Sequence, residues 1–271
     1  MDYPEKFEPK ESILGHGSFG KVYLVQRTHD KKKFAIKKVP MISEDGADNY
    51  QKFVKEAIIS SMIEDIKHSS TLDITVIGND YALIMNYYPL TLARLVYEGK
   101  ASIGQLNHHY RQLVSVVNYL HENGVAHRDL KLENICLDLN GGIKVIDFGN
   151  AVLFNAPGPA LCIDVCGTDQ YIAPEVLQSK VYDAKLCDTW SLGIIYLVMV
   201  TLKLPWPLAC ITQSSFTDYV RDREMFIKRY IDWPSSNLSK NIVLSMLNPD
   251  PSKRITTDAL LEEDFFLDRY L

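Results

Sequence analysis

The chain has no excess of basic residues: 29 Lys and Arg stand against 34 Asp and Glu, a formal net charge of −5. A dedicated nucleic-acid binder shows the opposite balance, so nucleic acid is not an expected partner. The five cysteines, Cys136, Cys162, Cys166, Cys187 and Cys210, are odd in number and contain no CxxC pair. That excludes a regular disulfide framework and points to reduced thiols in a cytoplasmic and/or nuclear protein. The first ten residues, MDYPEKFEPK, lack the apolar core of a secretory signal, so export is not expected. The longest apolar stretch, Leu192 to Leu202, is about half of what a helix needs to cross a bilayer, which predicts a buried helix and no membrane span. Internal repeats, low-complexity tracts and long linkers are missing as well. What remains is a chain of 271 residues with 46% hydrophobic content, enough to bury a large core and too apolar for disorder.

Apolar and polar residues alternate from Phe7 to Val39 in short runs broken by Gly15, Gly17, Gly20 and a polar turn at His29 to Lys33, which is hairpin patterning. From Tyr50 to Ile66 the apolar residues Phe53, Val54, Ala57, Ile58 and Met62 recur at helical spacing. Strands are expected again at Ile74 to Ile77 and Tyr81 to Met85. Beyond Pro89 the pattern lengthens into helices at Gln105 to Asn123, Tyr182 to Leu202 and Ser239 to Leu247. A strand-rich first third and a helix-rich remainder predict an α+β chain of two lobes joined near Asn86 to Leu90.

The run Gly15-His16-Gly17-Ser18-Phe19-Gly20-Lys21-Val22 is glycine-rich, and residues without side chains let backbone amides come close to phosphate. A dinucleotide-binding reading needs the last glycine to open a helix, whereas Lys21 to Val25 continues as a strand. By itself the run is equally well an ordinary glycine-containing hairpin. Next comes Phe34-Ala35-Ile36-Lys37, a strand that places one lysine where it could meet phosphate oxygens. Glu56, in the middle of the following helix, is its expected ion-pair partner, with Glu44 and Glu64 as competitors. The decisive stretch is His127-Arg128-Asp129-Leu130-Lys131-Leu132-Glu133-Asn134, followed in order by Asp147-Phe148-Gly149 and Ala173-Pro174-Glu175.

On these motifs the chain resembles the eukaryotic protein kinases over nearly its whole length. The resemblance implies a two-lobed α+β fold: a small antiparallel β-sheet N-lobe with one long helix (1–86) and a larger, mainly helical C-lobe (87–271). It implies transfer of the ATP γ-phosphate to serine and threonine hydroxyls of protein substrates. Asp129 would orient the acceptor hydroxyl and accept its proton, with Lys131 meeting the γ-phosphate. Asn134 and Asp147 would hold Mg²⁺, an ion suited to hard oxygen ligands. The nucleotide would be met by Gly15, His16, Gly17, Ser18, Phe19, Gly20 and Lys21, and by Lys37 fixed by Glu56. Val22, Ala35 and Cys136 would sandwich the adenine, Met85 would be the gatekeeper, and Asn86 to Tyr88 the hinge. Lys131 and Thr168 of Gly167-Thr168 mark serine/threonine rather than tyrosine specificity. Asp188 would anchor the catalytic-loop backbone, and Glu175 would pair with Arg254. Within the superfamily, Phe148 to Phe154 and Leu204-Pro205-Trp206-Pro207 resemble fungal halotolerance and permease-regulating kinases, and checkpoint kinases. A nucleotide-binding scaffold without turnover and a small-molecule kinase of similar fold are the competing classes. Both are disfavoured, because the catalytic residues and the Gly167-Thr168 and Ala173-Pro174-Glu175 platform are all present.

One absence bears on regulation. Between Phe148 and Gly167 there is no serine, threonine or tyrosine. Kinases whose catalytic aspartate follows an arginine, as Asp129 follows Arg128, often need a loop phosphate to neutralise that arginine. Asp164, four residues before Thr168, is either the stand-in anion or a solvated loop aspartate. With nothing read beyond the catalytic domain, regulatory domains are expected to come from partner proteins. Glu133 is the one catalytic-loop acid that would favour a basic residue near the acceptor.

Overall fold

The computed structural model describes residues 7–17, 19–44, 46–63, 71–230 and 237–267. Two compact units form: residues up to Pro89 together with Lys144–Ala151, and Leu90–Ile143 together with Val152 onward.

In the first unit the alternating segments pair into one antiparallel sheet of β1 (Phe7–Gly17), β2 (Gly20–Arg27), β3 (Lys33–Pro40), β4 (Thr71–Ile77) and β5 (Asp80–Asn86), in the order β1-β2-β3-β5-β4. The period of two divides the side chains between its faces. Val25, Phe34, Ile36, Ala82 and Ile84 form one apolar cluster, whereas Val39 and Leu83 pack with Phe53 and Ala57 of helix α1 (Tyr50–Met62). Tyr81 stacks on Phe53 at 4.9 Å between ring centroids. The reading of a helix to Ile66 is met as far as Met62, and Glu64 and Ile66 lie outside the described residues.

In the second unit β6 (Leu90–Thr91) leads into α2 (Leu92–Tyr97) and α3 (Ile103–Glu122), then β7 (Val125–Ala126), β8 (Ile135–Leu137) and β9 (Ile143–Val145), whose last residues belong to the first unit. After β10 (Val152–Leu153) and β11 (Leu161–Cys162) come α4 (Pro174–Gln178), β12 (Tyr182–Asp183) and α5 (Ala184–Thr201). The described chain closes with α6 (Ser214–Arg221), α7 (Arg223–Tyr230), α8 (Asn237–Met246), α9 (Thr257–Leu261) and α10 (Asp264–Leu267). Helix α3 starts ahead of the expected Gln105 because Ser102 and Gln105 form a capping box, each side chain taking the other's backbone N–H (3.3 and 2.9 Å). Helix α5 starts after the expected Tyr182. Tyr182 and Asp183 pair with Cys162 and Leu161, and the Asp183 carboxylate accepts from Lys185 N at 3.0 Å as the N-cap. Among the described residues α5 alone has the length and hydropathy of a membrane span, but 78% of it is buried in protein, which makes it a core helix.

Around α5 the core is aromatic: Trp190, Trp206, Phe216, Tyr219 and Phe226 pack at ring-centroid distances of 5.0 to 6.5 Å. Arg254 lies over Trp190, 4.9 Å from the ring centroid to the guanidinium carbon. Its side chain is fully buried and donates to Glu175 Oε2 at 2.9 Å, to Leu186 O at 2.9 Å and to Asn248 O at 3.0 Å. This is the expected Glu175–Arg254 pair, and it ties α4, α5 and the turn after α8 together. Breaking one side of such a buried pair costs about 3–5 kcal/mol, because the other charge is left without a counterion. Arg254→Met is therefore expected to lower the urea unfolding midpoint more than the double change Arg254→Met, Glu175→Leu, with unfolding followed by tryptophan fluorescence.

Candidate active site

In the first unit, Gly17 and Gly20 face each other where β1 turns into β2, so the glycine run is a hairpin whose last glycine opens a strand. His16 stands opposite Lys21 in that ladder, and Ser18 lies outside the described residues. The three glycines are there for different reasons. A Cβ at Gly20 would sit 2.1 Å from Lys38 O, and one at Gly17 would sit 2.9 Å from Lys37 Cε, whereas Gly15 has nothing within 4 Å. Phe19 packs against the α1 cluster with the Lys52 ammonium 4.8 Å from its ring centroid. Lys21 is exposed, and Val22 and Met85 are half-buried. Ala35 pairs with Met85 in the sheet, and Asn86 closes β5 opposite Phe34, two residues before Tyr88.

Lys37 is 1% exposed, and its Nζ donates to Glu56 Oε1 and Oε2 (2.6 and 2.8 Å) and to Asp147 Oδ1 (2.6 Å). Of the three carboxylates considered for Lys37, Glu56 is the partner, since α1 lies over the β3 face that also carries Ala35 and Val39. Burial alone would push the Lys37 pKa down, but the Glu56 and Asp147 carboxylates outweigh it and hold the value above the ordinary one. Burial pushes the Glu56 carboxyl up against the pull of Lys37. Asp147 has a positive φ of 64°, a conformation that costs a non-glycine residue energy and is retained where contacts hold it. Here its carboxylate is fixed by Lys37 and also takes Gly149 N–H at 3.4 Å.

In the second unit the catalytic-loop residues gather around Asp129, which is 5% exposed. Its Oδ1 accepts from Thr168 Oγ1 at 2.7 Å and its Oδ2 from Lys131 Nζ at 3.3 Å, while Lys131 Nζ also donates to Thr168 Oγ1 at 2.9 Å. Asn134 Nδ2 donates to Asp129 O at 2.9 Å, which fixes the amide and leaves its carbonyl oxygen as the acceptor. Asp188 takes the backbone N–H groups of His127 and Arg128, both at 2.8 Å, so the carboxylate does anchor this loop. Arg128 has φ 68°, and its Nη2 meets Asp164 Oδ1 at 2.7 Å. Cys136 is buried in β8 opposite Thr91, and burial pushes its thiol up to about 12, as packing requires and nucleophilicity does not.

With these residues in place, the sequence profile of the family described as "Protein kinase domain" matches residues 9–266. The chain belongs to the protein kinase domain family. It is 33% identical to the "Probable serine/threonine-protein kinase RTK1" of Saccharomyces cerevisiae, over 97% of this chain and 45% of that protein. It is 36% identical to the "Serine/threonine-protein kinase oca2" of Schizosaccharomyces pombe, over 75% of this chain and 32% of that protein. The "Nitrogen permease reactivator protein" of S. cerevisiae is 33% identical over 83% of this chain and 29% of its own length. The resemblance to permease-regulating fungal kinases thus extends well beyond the Phe148 to Phe154 run. This kinase domain spans less than half the length of these relatives.

Two participants in the kinase domain's catalytic loop had no signal in the sequence. His121, in the last turn of α3, puts Nε2 2.9 Å from Asp188 Oδ2 and Nδ1 3.1 Å from Thr257 Oγ1. Tyr182 accepts from Arg128 Nη2 at 2.9 Å. Neither lies in a motif, and only the packing of distant segments brings them in. Among the described residues no three His, Cys, Asp or Glu side chains cluster as a metal site.

Two outcomes are expected. Gly20→Ala should lower stability by about 1–3 kcal/mol, as overpacking against backbone does, while Gly15→Ala should stay within about 0.5 kcal/mol; thermal melts compare them. Lys37→Met leaves Glu56 buried without its cation. A carboxyl whose folded pKa is raised supports the fold at low pH and loses that support as pH rises through the folded value. The stability gap between wild type and Lys37→Met should therefore widen as pH rises above the ordinary carboxylate range, followed by urea unfolding at a series of pH values.

Proposed function

We propose that this kinase domain is a serine/threonine protein kinase that transfers the γ-phosphate of ATP to serine and threonine hydroxyls of protein substrates. The observation that carries the reading is the closed triangle of Asp129, Lys131 and Thr168. It holds one carboxylate, one ammonium and one hydroxyl in a fixed arrangement within 3.3 Å of each other.

Phosphoryl transfer asks a protein mostly for positioning and charge neutralisation. Asp129 orients the acceptor hydroxyl and takes its proton as that oxygen bonds to the γ-phosphorus and ADP departs. Lys131 neutralises charge on the transferred group. Lys37, held by Glu56, faces the other phosphates, and the glycine hairpin offers backbone amides to them. The family implies ATP and Mg²⁺. Asp147 and Asn134, each with its carboxylate or amide fixed by hydrogen bonds, would hold Mg²⁺, and their oxygen donors fit it. Bound there, the ion would supply positive charge for the phosphate oxygens. Val22, Ala35, Met85, Asn86, Tyr88 and Cys136 would receive the adenine. The exposed Glu133 favours a basic residue close to the acceptor. The five cysteines are free, in keeping with a cytoplasmic or nuclear site of action, and regulatory partner proteins are part of this reading.

Incubation with labelled ATP, Mg²⁺ and a degenerate peptide library tests it. Label is expected on serine and threonine peptides, with Asp129→Asn slower by about 10²-fold or more. Wild-type protein that binds ATP but transfers no more label than Asp129→Asn would instead be a scaffold.

A further inference from the structure

Arg128 is a cation with a side chain only 6% exposed, placed one residue before Asp129. A charge in that position has to be paired, or it costs several kcal/mol. All three oxygens that its Nη2 meets come from the 160s segment and its neighbouring strand. Asp164 supplies Oδ1 at 2.7 Å and its own carbonyl at 3.2 Å, and Tyr182 supplies its hydroxyl at 2.9 Å. Tyr182 in turn donates to Asp164 O at 2.6 Å, so the three residues close a ring. Burial works against the Arg128 cation, but its surroundings, foremost the hydrogen bond it donates to the Asp164 carboxylate, outweigh this and hold the guanidinium above its ordinary pKa.

No other anion in the segment can serve. Residues 149–166 contain no hydroxyl amino acid that could carry a phosphate. The nearby thiols of Cys162 and Cys166 are pushed up by burial, the latter to about 11, so both stay neutral. The cavity lined by Arg128, Asp129, Cys166, Thr168 and Tyr182 measures about 10 Å³, room for one water molecule. The Arg128 Nε is buried without a protein acceptor. An aspartate carries one charge where a phosphate carries about −1.5 to −2, and here the extra acceptors are the Asp164 carbonyl and the Tyr182 hydroxyl.

We infer that Asp164 is a positioning residue. It is the resident anion that holds Arg128, and with it the catalytic loop and the Thr168 end of the segment, in working geometry without phosphorylation. This rests on the kinase reading above. The geometry couples the two ends: Asp164 fixes Arg128, while Thr168, four residues on, bonds the Asp129 that follows Arg128. With 64% of its side chain exposed, Asp164 can be replaced without opening the core.

The test uses protein made in bacteria, shown by intact mass to carry no phosphate, in the peptide-library assay. Wild type is expected to be active at once and unaffected by phosphatase. Asp164→Asn should lose about 10- to 100-fold in kcat, with KM for ATP changed less than about threefold, and Asp164→Glu should recover part of the loss. In a double-mutant cycle Arg128→Ala, Asp164→Asn should be no slower than Arg128→Ala alone. Amide exchange in residues 161–168 should speed up in Asp164→Asn. An Asp164→Asn enzyme with wild-type kcat and exchange, or a wild type that stays silent until another kinase phosphorylates it, would overturn the inference and leave the kinase reading intact. A wild type that transfers nothing under any treatment, yet keeps 161–168 protected in an Asp164-dependent way, would overturn the kinase reading and not the clamp.

Discussion

Asp188 is 1% exposed, and its two carboxylate oxygens collect the N–H groups of His127 and Arg128 and the imidazole of His121. A buried carboxylate is tolerable only with such a set of partners, and the partners are in turn fixed by it. The consequence is a chain bend at Arg128 with φ 68°, a conformation that costs a non-glycine residue energy of order 1–3 kcal/mol. The two N–H bonds to Asp188 offset that cost. The bend sends the Arg128 side chain to Asp164 and Tyr182 and turns Asp129 to Lys131 and Thr168. Every catalytic distance in the second unit therefore depends on helix α5, which carries Asp188, being packed in the core.

The first unit follows the same logic with the signs exchanged. There the organising group is a cation, Lys37, which holds two carboxylates from segments far apart in the chain. Asp147 is placed by it despite a positive φ, as Arg128 is placed by Asp188. Buried ion pairs of this kind add little net stability compared with apolar packing, but a misplaced arrangement leaves an unpaired charge in the interior. They select one geometry sharply, which is what positioning for phosphoryl transfer demands.

Much of this was legible beforehand. The period-two pattern located the sheet, and the apolar run of α5 was correctly read as a core helix despite its hydropathy. The motif residues Lys37, Glu56, Asp129, Lys131, Asp147 and Thr168 were identified in order, and the structure joins them within each unit at 2.6 to 3.3 Å. Element ends were read less well. Tyr182 looked helical because apolar periodicity runs on through it, whereas strand pairing with Cys162 and the Asp183 cap decide where α5 begins. The glycine run was read as a hairpin or a phosphate-facing loop, and the crowding at Gly17 and Gly20 but not Gly15 is a property of neighbouring strands.

The sequence by itself determined the family, the order of the catalytic motifs and the absence of a loop phosphoacceptor, since each of these is a matter of residue type and spacing. It left Asp164 undecided between a stand-in anion and a solvated side chain. Only the tertiary structure shows its pairing, by bringing Arg128, Asp164 and Tyr182 within hydrogen-bond reach. The same holds for His121 and for the choice of Glu56 among three carboxylates. The reason is physical: charge pairing acts through space and burial, and both are set by how distant segments pack.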